Sequence, residues 1–229
     1  MKIIRKIALR VCRKLLSMDE NAKRRSTVNL ALRKVHSILS EGKPVLLDIG
    51  AERKRLLQPH IITLDQNEAC DINWNLGWGL PFPDNSVDTI YCSHVLEHFP
   101  RRHGDALLIA CYRALKPGGN ILLAVPNARL YIEAYTSGQV IDYNLLYKPA
   151  LRFSTGIDYI NYMAYMDGHH FHMFDCENLL ACLHLAGFEN ASAREFDCCW
   201  DLEERRWESI YVIAVKPPRI AVTAATLGQ

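Results

Sequence analysis

The chain has 229 residues, 49% of them hydrophobic, which is enough to bury the core of one α/β domain with extensions or of at most two small domains. Its net charge of +2 conceals a split, since residues 1–40 carry 11 Lys/Arg against 2 Asp/Glu and the rest carries 16 against 23, which argues against a domain built around nucleic-acid phosphates. No apolar run approaches the roughly 20 residues of a membrane span, Arg5, Lys6 and Arg10 interrupt any secretory segment, and the 8 cysteines show no C-x-x-C or paired zinc spacing, so a reducing, cytoplasmic setting is expected.

Residues 1–42 read as a basic helical arm. Over Met1–Leu16, Ile4, Ile7, Ala8, Val11 and Leu15 recur at i, i+3, i+4 spacing, and Lys2, Arg5, Lys6, Arg10, Arg13 and Lys14 fall largely elsewhere. Such a helix can lie on the inner face of a membrane, meet an anionic substrate, or dock on the domain or a partner subunit. A second helix is predicted over Val28–Leu39, stopped by Gly42 and Pro44.

Residues 43–229 read as one domain. Val45–Gly50 predicts the first core strand and its turn, and Ile61–Leu64 a second strand ending in Asp65. Asp71–Asn75 gives a third short strand, with Trp74 and Trp78 as candidate core or stacking residues. Leu80–Ser86 is a rigid turn, because Pro81 and Pro83 fix φ and Asp84-Asn85-Ser86 favours local side-chain bonds. Val87–Cys92 is a short buried strand, followed by Ser93 and a helix-compatible run from His94 to His98. A helix ending near Tyr112–Lys116 is broken by Pro117-Gly118-Gly119, and Ile121–Val125 is another buried strand closed by Pro126.

LPFPDNSVDTIYCSHVLEHF followed by YRALKPGGNILLAVPN resembles the central motifs of class I S-adenosylmethionine (SAM)-dependent methyltransferases. The nearest match is the small predicted methyltransferases associated with surface-polysaccharide synthesis, and the likeness runs from Val45 to Lys216. It implies a Rossmann-like α/β fold: a mostly parallel seven-stranded sheet with a terminal antiparallel hairpin. It implies SAM as cofactor, with contacts from Asp48 and Gly50 after the first strand, Asp65 on the ribose, Asn75 and Leu76 near the adenine, and Ser93 after the fourth strand. Glycine is wanted at the first turn, where a β-carbon would collide with the cofactor. Glu52 and Lys54 stand where further glycines are usual, and Asp48 also reads simply as a strand-end turn residue.

Asn127–His172 is a long insert holding 7 of the 10 tyrosines, Tyr131, Tyr135, Tyr143, Tyr147, Tyr159, Tyr162 and Tyr165. In this family additions here usually cap the substrate pocket, and tyrosines suit a sugar or another polyhydroxylated acceptor. They equally suit a small hydrophobic subcore or a homo-oligomer contact. Asp175 reads as the N-cap of a helix through Ala186, stopped at Gly187. Glu189–Asp197 and Ile210–Val215 are the last two strands, joined by the charged loop Asp201–Glu208.

The run His94-Val95-Leu96-Glu97-His98 matches H-x-x-E-H, which also occurs in inverted zinc peptidases. It follows a buried strand inside a methyltransferase motif order, so the peptidase reading is rejected. On a helix, His94 and His98 would share a face. Small-RNA 2′-O-methyltransferases and ubiquinone-pathway O-methyltransferases resemble this position with E-x-x-E-H, where acidic residues and histidine hold a divalent metal. That resemblance implies Glu97 and His98 as metal ligands, with His169, His170 or His172 as a further one. Without a metal, His98 or His94 serves as general base with Glu97 beside it. The plain structural reading is a helix start. The function implied is methyl transfer to a hydroxyl of a small molecule, sugar or glycan. The alternatives are a catalytically inactive SAM-binding scaffold of the same fold and an RNA 2′-O-methyltransferase, the latter disfavoured with nucleic acid generally by the acidic domain.

Overall fold

The computed structural model describes residues 2–52, 60–139, 141 and 155–218, and of residues 2–18 the backbone alone. Seven strands form one sheet in the order β3-β2-β1-β4-β5-β7-β6. They are β1 (Leu46–Ile49), β2 (Ile61–Asp65), β3 (Ile72–Asn73), β4 (Val87–Ser93), β5 (Leu115–Pro126), β6 (Glu189–Ala193) and β7 (Ser209–Val215). β1 to β5 pair in parallel, and β7 and β6 close the far edge antiparallel. This is the mostly parallel sheet with a terminal hairpin that the sequence implies.

The strands are legible because they are apolar runs between turn residues. β5 is longer than predicted: its parallel pairing begins at Leu115 with a register shift, so Pro117-Gly118-Gly119 lies inside the strand. Helix α2 (Arg101–Ala114) therefore ends before the proline. The Pro-rich turn ahead of β4 is latched from two sides. Arg113 donates to the Leu80 and Phe82 carbonyls, and the buried Lys216 donates to Asn85 Oδ1 at 2.8 Å and to the Leu115 carbonyl at 2.7 Å.

Helix α1 (Lys2–Ser40) is one helix of 39 residues, which corrects the expectation of two. No proline or glycine lies between Ser17 and Thr27, so nothing in that stretch breaks the backbone ladder. Its C-terminal part is the docked part. Ala31, Val35 and Ile38 are buried on the sheet, Lys34 pairs with Asp71 at 3.1 Å, and the Arg24 guanidinium stacks on Trp78 at 3.8 Å. The predicted apolar face of residues 1–16 lies outside the described side chains.

Strand alternation divides the sheet unequally. Leu47, Ile49, Ile62, Leu64, Ile90, Cys92, Ile121, Leu123 and Val212 face one side, where α1, α2 and α5 (Cys176–Leu185) bury them in the main core. The other side carries a small cluster of Ile61, Tyr91 and Leu122 with Trp200 against it. There Asp201 accepts from Tyr91 at 3.2 Å and takes a two-pronged ion pair from Arg194 at 2.6 and 2.7 Å. The described part of the insert is α3 (Ala128–Ser137) and α4 (Gly156–Tyr165), which share a third core around Tyr131 and Met163. The subcore reading of the tyrosines thus applies to Tyr131 and Tyr159, whereas Tyr135 and Tyr165 are exposed and Tyr143 and Tyr147 lie outside the described residues.

Candidate functional site

A parallel sheet presents its strand ends and the following loops on one edge, and ligands sit where the strand order reverses. Here the reversal lies between β1 and β4. A cavity of about 380 Å³ opens there, lined by Gly50 after β1, Asp65 at the end of β2, Trp74, Leu76, Ser93 at the end of β4, and His94 to Phe99 in part. Glu52, Gln66, Met166 and Arg205 complete its wall.

The predicted cofactor contacts divide in two. Gly50, Asp65, Leu76 and Ser93 line the cavity. Asp48 does not, because strand alternation buries it within the sheet at 4% exposure. Asn75 does not either, because its side chain turns back to accept from the Gly77 N–H at 2.8 Å and caps a 3-10 turn, Leu76–Trp78. Trp74 is held in the core by its indole N–H, which donates to the Gly79 carbonyl at 2.7 Å, yet it also forms cavity wall. Trp78 packs edge-on to Trp74 and stays outside the lining.

Gly50 is required by the protein itself. Its φ is +71°, and a β-carbon there would overlap the Val95 side chain. Glu52 also holds a left-handed backbone, φ 53°, where glycine is the easy residue, and its N–H donates to Asp65 Oδ2 at 3.1 Å. The other Asp65 oxygen accepts from the Asn67 N–H at 3.0 Å. One carboxylate therefore ties the loop after β1 to the loop after β2, and each oxygen keeps a lone pair for a ligand hydroxyl. Lys54 lies outside the described residues.

The HVLEH run is not a regular helix. His94 takes φ 53°, and a 3-10 turn covers Leu96–His98 alone, so the two histidines do not share a helical face. They meet instead on Glu97. Its carboxylate is 1% exposed, His94 Nδ1 lies 3.4 Å and His98 Nε2 3.9 Å from its Oε1, and neither oxygen has a hydrogen bond among the described residues. Burial, with Glu208 nearby, pushes the Glu97 carboxyl up to about 8, against the opposing pull of its own backbone and Arg205. Burial likewise pushes His98 and His170 below their ordinary value, so both imidazoles are neutral at pH 7.

A second, inner cavity of about 50 Å³ adjoins the first. His94, Glu97, His98, Tyr131, Tyr162, His170 and Glu208 are among its walls, and His94, His98, Met166 and Arg205 line both cavities. Tyr131 donates to Glu208 at 3.2 Å. His170, one of the three insert histidines named above, lines this cavity. Of the other two insert histidines, His169 offers its backbone carbonyl to His98, and His172 is bonded to Asn178 at 3.3 Å. Met166 and Arg205 carry no sequence signal, since each lies in a segment whose position depends on packing of distant elements.

The arrangement offers a large cavity at the strand ends, joined through a histidine- and glutamate-lined wall to a small inner one. Comparison with known proteins bears on it. Residues 22–193 match the family model described as a methyltransferase domain. No curated protein matches the chain. A SAM-dependent methyltransferase from Archaeoglobus fulgidus is similar in structure, with 18% identity and a TM-score of 0.51 over 84% of this chain and 94% of that one. The phosphoethanolamine N-methyltransferase 2 of Haemonchus contortus aligns at 14% identity and a TM-score of 0.46, over 81% of this chain and 52% of that one. A SAM-dependent methyltransferase from Methanosarcina mazei aligns at 17% and 0.47, over 76% of this chain and 92% of that one. At 18% identity, the likeness to the Archaeoglobus fulgidus protein shows the fold alone.

Proposed function

The chain belongs to the methyltransferase-domain family, and from that premise we propose that it uses SAM to methylate a hydroxyl oxygen of a sugar or glycan intermediate. The residues present fit the cofactor: the large cavity sits at the strand-order reversal, and the Asp65 carboxylate at its rim has lone pairs for two ribose hydroxyls. Gly50, Leu76, Trp74 and Ser93 would hold the rest of the molecule. When bound, SAM supplies an electrophilic methyl group on a sulfonium.

The chain's own task is then alignment and proton removal. The observation that carries the reading is the shared wall, because His94 and His98 face both cavities with the buried Glu97 behind them. An acceptor arm entering the inner cavity meets these groups at the boundary with the donor cavity. The inner cavity is small, and Tyr131, Tyr162 and Glu208 among its walls would offer hydrogen bonds to an acceptor hydroxyl. The acceptor proton passes to the His94–Glu97–His98 cluster, beside which Met166 and His170 of the cap stand.

The test is release of demethylated SAM in the presence of a panel of polyhydroxylated acceptors, compared with amine acceptors. His98→Ala should cut turnover by roughly 10²–10⁴-fold while SAM binds nearly as before. Full turnover in His94→Ala, Glu97→Gln and His98→Ala alike would remove the cluster from the chemistry, and SAM binding with no turnover on any acceptor would favour an inactive scaffold.

A further inference from the structure

We infer that Glu97, His98 and His170 form a binding site for a divalent transition metal of the zinc type. One ligand atom from each residue lies within 4.8 Å of the other two. They come from two segments, Glu97 and His98 from the 3-10 turn after β4 and His170 from the strap after α4. Those segments are stitched by the backbone, since the Phe171 and His172 N–H groups donate to the Glu97 carbonyl at 2.8 and 3.3 Å. The site is therefore held by main-chain bonds that do not involve its ligand atoms.

The tautomers point the same way. His98 Nδ1–H donates to the His169 carbonyl and His170 Nδ1–H to the Met163 carbonyl, each at 2.9 Å. A carbonyl only accepts, so the proton of each neutral ring is on Nδ1 and the lone pair is on Nε2. Backbone carbonyls on the far nitrogen are the usual device for aiming an imidazole at a metal. The two rings stand edge to face with centroids 4.9 Å apart.

The third ligand supplies an independent observation. Glu97 is 1% exposed, and both its oxygens lack a hydrogen-bond partner among the described residues. A carboxylate so placed is costly unless a cation or a donor meets it. His94 Nδ1 lies 3.4 Å and the lone-pair nitrogen of His98, Nε2, 3.9 Å from its Oε1. A bound cation would hold the carboxyl ionised and meet the Nε2 lone pairs of His98 and His170 as well.

Two imidazoles and one carboxylate suit zinc and its neighbours better than magnesium, which prefers all-oxygen octahedral shells. Tetrahedral bonds of about 2 Å place ligand atoms roughly 3.3 Å apart, and the His98 Nε2 to Glu97 Oε1 separation is 3.9 Å. That pair therefore lies close to the required spacing. Three protein ligands would leave a fourth position for solvent or substrate, and all three residues line the inner cavity. This inference rests on the function proposed above. A hydroxyl reaching such a metal would be more acidic, and His94, bonded through Nε2 to Ser209 Oγ at 2.8 Å, lines the same cavity.

The experiment uses the full chain, treated with a chelator, desalted, and titrated calorimetrically with Zn²⁺, with Co²⁺ substitution read by visible absorption. One equivalent should bind, and Co²⁺ should show the intense bands of a four- or five-coordinate site. His170→Ala and Glu97→Gln should each weaken Zn²⁺ binding by at least about 100-fold, beyond the loss typical of a supporting residue, with the far-ultraviolet dichroism unchanged. His172→Ala, outside the set, should bind as the wild type. Absence of stoichiometric Zn²⁺ binding in the wild type, or wild-type affinity in both ligand variants, overturns the site. SAM binding by the metal-free chain is measured alongside. If it persists while Zn²⁺ binding fails, the metal inference falls and the functional reading stands.

Discussion

Val95 fills the space that a β-carbon on Gly50 would need. The turn after β1 and the run after β4 are thereby packed against each other at the bottom of the donor cavity, and the glycine answers to a protein neighbour as much as to a ligand. Gly50→Ala should lose about 1–3 kcal/mol from overpacking, with a further cost of about 1 kcal/mol for a non-glycine residue at φ +71°. Denaturant unfolding measures the sum. Adding Val95→Ala should recover the packing part and leave the backbone part, and a double variant as unstable as the single one would show that the contact is not what limits position 50.

Much of this edge was legible in the sequence, and the exceptions have physical causes. Alternating and continuous apolar runs name β1, β2, β4 and β5, because burial on a sheet leaves a strong pattern. Gly50, Asp65, Leu76 and Ser93 follow from motif positions at strand ends, and all four line the cavity. The helix expected at His94–His98 fails because His94 adopts φ 53°, a choice that propensity does not register. The break expected inside α1 fails because a basic stretch without glycine or proline continues a helix once its C-terminal part is docked. Met166 and Arg205 could not be read at all, since their place at the wall is set by how the cap and the β6–β7 loop fold over distant residues.

Asp71 fastens α1 to the sheet edge and should make that attachment pH-dependent. Burial acts to raise its carboxyl, but the bonds from the Thr63 N–H, the Thr63 hydroxyl and Lys34 outweigh it, so the folded value lies below the ordinary 3.8. A carboxylate with a depressed folded value adds stability above its unfolded value and loses it as the pH falls through the folded one. Wild type should therefore lose more stability than Asp71→Asn between pH 6 and pH 3. Parallel pH curves for the two proteins would show that the Thr63–Lys34 cluster contributes no ionic stabilisation.

Residues 1–40 carry the basic charge, and no helix among the described residues is long and apolar enough to cross a membrane. If the arm serves a membrane surface, deletion of residues 1–17 should abolish binding to vesicles of phosphatidylglycerol and phosphatidylcholine while SAM affinity is retained. The docked segment, with Ala31, Val35 and Ile38 in the core, remains intact in that deletion. Binding should fade as salt shortens the Debye length from about 10 Å at 0.1 M to about 3 Å at 1 M. Sedimentation with vesicles at low salt settles it, and a full-length chain left in the supernatant assigns the arm to helix packing or self-association.

Asp65 joins two jobs in one carboxylate, and separating them tests the cofactor site. One oxygen accepts from the Glu52 N–H and the other from the Asn67 N–H, which fixes the loops on either side of the cavity. The remaining lone pairs face the cavity where ribose hydroxyls are expected. Asp65→Ala removes both functions. It should weaken SAM binding by about 1.5–3 kcal/mol, the scale for bonds to a charged group, and should also release Glu52 from its φ of 53°. Asp65→Asn is the more informative change, because its one oxygen can still accept from a single backbone N–H while its amide meets the other as donor against donor. Ribose hydroxyls, which both donate and accept, tolerate an amide better than a backbone N–H does. If loop fixation dominates, Asp65→Asn should lose nearly as much affinity as Asp65→Ala, and thermal unfolding without ligand should shift in both. If direct ribose contact dominates, Asp65→Asn should keep part of the affinity, and adenine or methionine alone should bind both variants like wild type. Calorimetric titration with SAM and these fragments distinguishes the cases, and unchanged SAM affinity in Asp65→Ala would move the ribose site away from the end of β2.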